Sequence, residues 1–363
     1  MVKSILISVA PRLVWLVVTV SNAREGRRAP DKDRPVLEKT RGWLDRIGDP
    51  ALKAITFCAA ALSVTILGLI TYELITGARL AFHSFGLGFV TSQPWDAIHN
   101  QFGALSLIFG TFVTSVLAIV IATPLAVAIA LFLTELAPKH VRSLLGALVE
   151  MLAAIPSVIL GLWGILVLGP FIQNQLEPFL GSTLGFLPFF RGPHSGTGLL
   201  TAILVLTIMI VPIVASVTRE LFTTVPSELR EGALALGATR WEMVRGVLLP
   251  ATRPGILAAV ALGFGRAIGE AMAVLMVIGG TIGIHLSLFG HSDTLAARIA
   301  GQYQGSSTNL QTSSLVYLAT ILLVISLVVN IGAQLLIKPI DRRPRRRRIA
   351  LDRAFEAQGL SAD

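Results

Sequence analysis

The chain has a single cysteine, Cys58, among 363 residues. That excludes an intrachain disulfide, and Cys58, set in an apolar run, reads as a small packing residue. Charged residues are also scarce, at 14%, against roughly 25% in soluble domains. No Gly-Lys dipeptide occurs, so the G-x-x-x-x-G-K-[ST] phosphate loop is absent and the chain does not hydrolyse ATP by that route. The histidines stand apart, at 83, 99, 140, 194, 285 and 291, and no His/Cys cluster has metal-ligand spacing. No Ser/His/Asp constellation follows from spacing either. Gly263, Gly265 and Gly269 miss the dinucleotide fingerprint by one residue and lie inside an apolar run rather than after a strand. Gly265-x-x-x-Gly269 reads instead as a close-packing face between helices. An enzyme reading has nothing to stand on, and neither a metal nor a cofactor is expected in this chain.

Apolar sequence is what the chain has in quantity. Hydrophobic residues make up 53% and mean hydropathy is +0.74. Runs of about 18–20 apolar residues mark membrane-spanning helices, and six are expected, at 54–75, 103–135, 144–169, 198–218, 255–279 and 315–337. The second run is longer than a bilayer needs and is expected to tilt, project or bend at Pro124. The third contains Pro156, where a kink releases backbone groups that protein or water must satisfy. Residues 5–20 are apolar but interrupted by Pro11 and Arg12, too short and broken for a convincing span. The expected organisation is a basic segment at 1–53, a membrane domain at 54–338 with a patterned loop at 219–253, and a basic tail at 339–363.

The net charge of +9 is distributed unevenly. Nine Lys or Arg lie in 21–53, two follow the second run, five lie in or beside the patterned loop, and eight occupy the tail. The intervening loops hold only Arg79, Arg191 and Arg298. Basic loops mark the cytoplasmic side, which predicts cytoplasmic termini and a cytoplasmic patterned loop. The charge is thereby accounted for without nucleic acid. The RRPRRRR stretch at 342–348 adds attraction for anionic lipid.

The patterned loop, PSELREGALALGATRWEMVRGVLLP at 226–250, reads as two short helices. Pro226 suits a first helical turn, and Glu228 and Glu231 follow at the positive helix end. Gly237 suits a left-handed helix terminus. Thr239 and Glu242 form a T-x-x-E capping box for a second helix. Trp241, Val244 and Leu248 share one face of it, and Pro250 stands near its end. Glu231, Ala233, Gly237, Val247, Leu249 and Pro250 resemble the E-A-A, three residues, Gly, nine residues, Ile-x-Leu-Pro loop of binding-protein-dependent ABC permeases. Gly232 and Val247 depart from that pattern.

Arg266 and Glu270 fall within the fifth run. Their i, i+4 spacing puts them on one helix face, with Arg266 near the bilayer midplane. A charge at the centre of a membrane helix costs about 2.5–3.5 kcal/mol on insertion scales, so such groups face a partner or an aqueous path. Two roles fit: an ion pair that pins packing, or an anion path in which the guanidinium fork grips phosphate-like oxygens two at a time while the carboxylate holds it in place and limits affinity.

Further stretches sharpen the resemblance. GTFVTSVLAIVIATPLAVAIALFLTELAP at 110–138, EMLAAIPSVILGLWG at 150–164 and GFGRAIGEAMAVLMVIGG at 263–280 are similar to phosphate-importer permeases. The AMAV and IGG ending and LWGILVLGP are closer to the PstC-type subunit than to its PstA-type partner. The resemblance spans roughly 50–340. It implies an all-α, six-helix bundle of the ABC importer permease (MetI-like) type in the cytoplasmic membrane, with a helix-turn-helix loop coupling it to an ATPase. It also implies a PstA-type partner, an ATPase subunit dimer that binds the ATP, and an extracytoplasmic phosphate-binding protein. Permeases for another oxyanion, molybdate or sulfate, share this architecture. A channel or membrane scaffold that needs no ATP is the rival of a different class.

Overall fold

The computed structural model describes residues 43–357, with side chains placed for 50–335 except Lys139; segment 5–20 lies outside the described residues. Contacts divide the chain after Leu67. The first unit contributes most of helix α1 (Trp43–Gly77). The second, Gly68–Asp363, carries the other elements: α2 (Arg79–Phe85), a two-stranded ribbon of β1 (Trp95–Asp96) and β2 (Gln101–Phe102), and α3 (Leu105–Leu136). Then come α4 (Lys139–Ala153), α5 (Ser157–Leu184), α6 (Leu199–Thr223), α7 (Ser227–Ala235), α8 (Arg240–Gly269), α9 (Met272–Val277), α10 (Leu295–Gln302) and α11 (Asn309–Ala357). Among the described residues, six helices are long and apolar enough to cross a membrane: Pro50–Gly77, α3, α5, α6, α8 and Asn309–Leu335.

Helix α6 lies at the centre of the second unit; 72% of its most apolar window is buried. It packs chiefly on α3, then on α8. The α3 surface that meets it is built from small residues at four-residue spacing: Ala118, Ala122, Ala126 and Ala130, all fully buried. Between apolar helices in lipid, close backbone approach supplies the packing that water would otherwise drive. Gly263 of α8 does the same. A Cβ there would lie 2.9 Å from side-chain atoms of Ile210 and Val214 and 3.3 Å from Ile119. Gly265 and Gly269, expected to form a packing face, do not: the nearest atom to a Cβ at Gly265 is Asn330 Oδ1 at 3.9 Å, and Gly269 has nothing within 4 Å. The contact falls two residues before Gly265, at Gly263, where α8 crosses α6.

Two expected spans are broken. The third, expected at 144–169, is split into α4 and α5 by Ala154–Pro156. Pro156 has an extended backbone (ψ 136°) and begins a new helix rather than kinking an old one. Its ring disfavours helical geometry at Ile155, and it has no N–H to continue the ladder. Pro124, by contrast, stays within continuous α3. The fifth span, expected at 255–279, begins at Arg240 and stops at Gly269. Glu270 leaves the helix (ψ 121°), and α9 starts afresh two residues later. The other expected spans lie within a few residues of their observed limits, although α11 continues past the expected end at 337 to Ala357.

Gly263→Val should drive a side chain into Ile210 and Val214 and destabilise the bundle by about 1–3 kcal/mol, the usual cost of overpacking. Gly265→Ala should be tolerated. Thermal unfolding of the detergent-purified protein compares the two; equal melting temperatures would place the α8 contact elsewhere.

Candidate functional site

Arg266 sits in the last turn of α8, three residues beyond Gly263. Gly263 meets Ile119 and Ile210, which stand near the middles of α3 and α6. At 1.5 Å per residue, Arg266 is about 4.5 Å from that mid-depth level, away from the patterned loop. Its Nη2 lies 3.8 Å from Glu270 Oε2. The two are not on one helical face as expected, because the helix ends between them. The break itself brings the carboxylate into place. Glu270 Oε1 accepts a hydrogen bond from Ala273 N–H at 3.4 Å, so one carboxylate caps α9 and faces the guanidinium. The arginine side chain is 45% exposed while the glutamate is 8% exposed. The arrangement is a fixed carboxylate behind an accessible guanidinium, which leaves donors free for an anion.

At the other end of α8 the patterned loop is a hairpin of helices. Helix α7 closes in a Schellman motif: Gly237 N–H donates to Leu234 O at 3.0 Å and Ala238 N–H to Ala233 O at 3.1 Å. Gly237 has φ +86°, a conformation in which a side chain is strained. The capping box forms in full, with Glu242 N–H donating to Thr239 Oγ1 and Thr239 N–H to Glu242 Oε2. The second helix does not end near Pro250. It passes through a single π turn at Val244–Leu248 and runs on as the rest of α8. The wide turn, closed by Leu249 N–H to Val244 O, precedes the residue that has no N–H to give. The hairpin is thus one short helix leaning on the end of a membrane helix.

The expected docking face is divided by this geometry. Trp241 is exposed, but Val244 and Leu248 are buried in the chain's own core with Ala130, Phe222, Val225 and Met243. Ala233 is half-buried against the same cluster. Val244 and Leu248 therefore hold the hairpin on and are not offered to a partner, because they pack on Ala130 and Phe222 near the ends of α3 and α6. The outward apolar residues are Leu236 (91% exposed), Trp241 (65%), Leu229 (53%) and Leu234 (41%). Glu231, Gly237 and Pro250 are exposed alongside them.

Two residues that hold the hairpin escaped the sequence reading. Arg230 Nη1 donates to Glu135 Oε1 at 2.9 Å, and its Nη2 donates to the carbonyls of Phe222 and Val225 at 2.9 and 2.7 Å. It joins α7 to the ends of α3 and α6, with both charged side chains largely sheltered. Glu135 lies in the TELAP stretch and Arg230 within the loop, but a pairing across 95 positions has no local signal.

A family model described as the binding-protein-dependent transport system inner membrane component matches residues 122–346. The chain belongs to this family. Its members span membranes, and the six long apolar helices make this one a multi-pass membrane protein. Among relatives of the family member described here, the phosphate transport system permease protein PstC of Mesorhizobium japonicum is 44% identical over 81% of this chain and 91% of its own. PstC of Haemophilus influenzae is 42% identical over 83% and 97%, and PstC 1 of Mycobacterium tuberculosis 37% identical over 83% and 96%. A chain of a bacterial ABC transporter for import of the acidic polysaccharide alginate superposes with TM-score 0.53 at 20% identity, covering 80% of this chain and 98% of that one. This likeness shows the fold: a bundle of membrane helices shared with that chain. The family is one of transport-system membrane components.

Glu135→Gln should weaken the anchor of α7 by about 1.5–3 kcal/mol, the range for hydrogen bonds to charged groups. Hydrogen exchange of amides 227–238 should accelerate without loss of the membrane helices; unchanged exchange there would deny Arg230 its anchoring role.

Proposed function

We propose that this chain is the membrane-spanning permease subunit of an ATP-driven importer of inorganic phosphate. The carrying observation is the likeness, at 37–44% identity over more than four-fifths of the chain, to proteins named phosphate transport system permease. The site agrees with that chemistry. Arg266 presents an accessible guanidinium about halfway through the bundle, and the fixed Glu270 carboxylate prevents the anion from being held too tightly. A carrier must release what it admits.

In this reading the chain pairs with a PstA-type permease, and the exposed side of Arg266 faces the path between them. An ATPase dimer docks beneath and an extracytoplasmic phosphate-binding protein delivers substrate above. ATP is bound by the partner ATPase; this chain holds no cofactor. The hairpin of α7 and the start of α8 is the coupling element, with Leu229, Leu234, Leu236 and Trp241 as the apolar anchors that enter an ATPase groove. Because the hairpin is continuous with α8, a push on it is transmitted along one helix to Arg266. Rigid-body rocking of this kind converts ATP binding into alternating access. The charge distribution puts the hairpin and both termini in the cytoplasm, with the protein in the cytoplasmic membrane and the basic RRPRRRR stretch at 342–348 attracted to anionic lipid. Nucleic acid has no part in it.

Arg266→Gln should abolish phosphate uptake while the complex still assembles; poor assembly instead would favour an ion pair that only pins packing. Competition of molybdate and sulfate with labelled phosphate separates the oxyanions, and recovery of the chain without an ATPase would favour a channel or scaffold. Leu236→Asp combined with Trp241→Ala should leave the protein in the membrane and reduce uptake by at least about tenfold, since buried anchors at an interface each carry about 2 kcal/mol or more. Normal uptake by that double variant would place the docking face elsewhere.

A further inference from the structure

Beyond Arg266 and Glu270, a second charged pair is buried at the opposite end of α9. Asp293 and Arg298 are both buried, with Arg298 Nε 2.6 Å from Asp293 Oδ2. Arg298 Nη2 donates to the carbonyl of Gly280 at 2.9 Å. The guanidinium also lies over the Trp95 ring, 5.9 Å from its centroid, and the Trp95 indole N–H donates to Gln302 Oε1 at 2.7 Å. One cation therefore grips three separate pieces of chain: the turn after α9, the start of α10, and the β-ribbon. Burial pushes the Asp293 carboxyl above the usual carboxylate range, and the neighbouring Arg298 opposes that shift.

The turn it grips is unusual backbone. Gly279 and Gly280 have φ of +90° and +67°. The turn is pinned on its far side as well, where Ser292 N–H donates to Ile278 O and Thr281 N–H to Ser292 O. Asp293 follows Ser292 directly. The Asp293 backbone carbonyl presses on Gly110 of α3, where a Cβ would lie 2.0 Å from it. Leu295 N–H donates to Thr111 Oγ1 at 2.9 Å. The clamp is thus rooted on α3, one of the two helices that carry the core. Helix α9 has six residues, about 9 Å of rigid helix. The clamp holds one end of it; Glu270, capping the other end, holds Arg266.

We propose that Asp293 and Arg298 are positioning residues for the Arg266–Glu270 pair: by fixing the Gly279–Gly280 turn they set where α9, and so the Glu270 carboxylate, stands relative to the guanidinium. This rests on the reading of Arg266 as the anion site. A buried ion pair is often no better for stability than apolar residues of the same shape; what this one adds is direction, through the Arg298 bond to the Gly280 carbonyl and its contact with Asp293. Displacement of a working group by about 1 Å can cost up to about 100-fold in rate. Loosening the clamp should therefore impair transport more than it impairs the protein.

The test uses the complete complex in proteoliposomes, with partner permease, ATPase and binding protein, and reads radiolabelled phosphate transported per ATP hydrolysed. Arg298→Gln alone leaves Asp293 buried without its partner, so the decisive variant is Asp293→Asn with Arg298→Gln, which removes both charges. It should assemble and hydrolyse ATP while the phosphate-to-ATP ratio falls at least about tenfold, as expected for a misplaced working group. A ratio unchanged within twofold, or uptake and hydrolysis falling in proportion, would show a merely structural pair. Should the double variant fail to assemble, Arg298→Lys, which keeps the charge but not the fork across Gly280 and Trp95, is read by the same ratio with the same two outcomes. Arg266→Gln measured in parallel separates the two ideas. Normal uptake there sinks the anion-site reading, whereas lost uptake there with a normal ratio in the clamp variants sinks only the clamp.

Discussion

Placing two opposite charges near mid-depth, at the junction of α8 and α9, constrains everything around them. A lone guanidinium at this depth is expensive, and a carboxylate of opposite sign is the cheapest compensation a helix can offer. An unbroken helix would place both groups side by side on one face. Ending α8 at Gly269 instead turns Glu270 inward, where it takes the Ala273 N–H and stays within 3.8 Å of Arg266. One backbone N–H freed by the break, that of Ala273, is met by the Glu270 side chain, as non-helical backbone at this depth requires. The result is asymmetric: the carboxylate is structural on one side and electrostatic on the other, and the arginine keeps donors to spare.

The same helix links that site to the far end of the protein. Helix α8 begins in the hairpin, passes its π turn, crosses α6 at Gly263 and ends at the charged pair. Its hairpin end is divided between inward anchors, Val244 and Leu248, and outward apolar residues, Leu236 and Trp241. Arg230 and Glu135 secure the first helix of the hairpin to α3. A load applied to the exposed side therefore reaches a rigid body rather than a flexible loop. Helix α9 extends this body beyond the break, and the Asp293–Arg298 clamp fixes its outer end to α3.

Much of this was legible from residue order. Six apolar runs, the Thr239–Glu242 capping box, the left-handed Gly237 and the Arg266–Glu270 spacing are local patterns, and local backbone energetics determines them. The misreadings share one cause. Periodicity marks Val244 and Leu248 as a face but does not say whether that face looks inward or outward. Apolar sequence continues through 154–156 and resumes directly after Glu270, so averaged hydropathy sees one span where the backbone makes two helices. Pro156 was read as a kink because a proline within an apolar run is compatible with either a bend or a stop. The glycines at 263, 265 and 269 look alike in sequence, and only the line along which α6 crosses α8 selects the first.

Sequence by itself determined the class of protein, the six long apolar helices among the described residues, the helical hairpin at 226–250 and the residue types at mid-depth. These depend on transfer of apolar surface and on hydrogen bonds between near neighbours in the chain. Tertiary structure alone decided which faces are buried, where the helices stop and which distant charges meet. Arg230 finds Glu135, and Arg298 finds the Gly280 carbonyl, because a charge withdrawn from water must take whatever partner the packed helices bring within reach, and that partner is set by the fold in three dimensions rather than by its position along the chain.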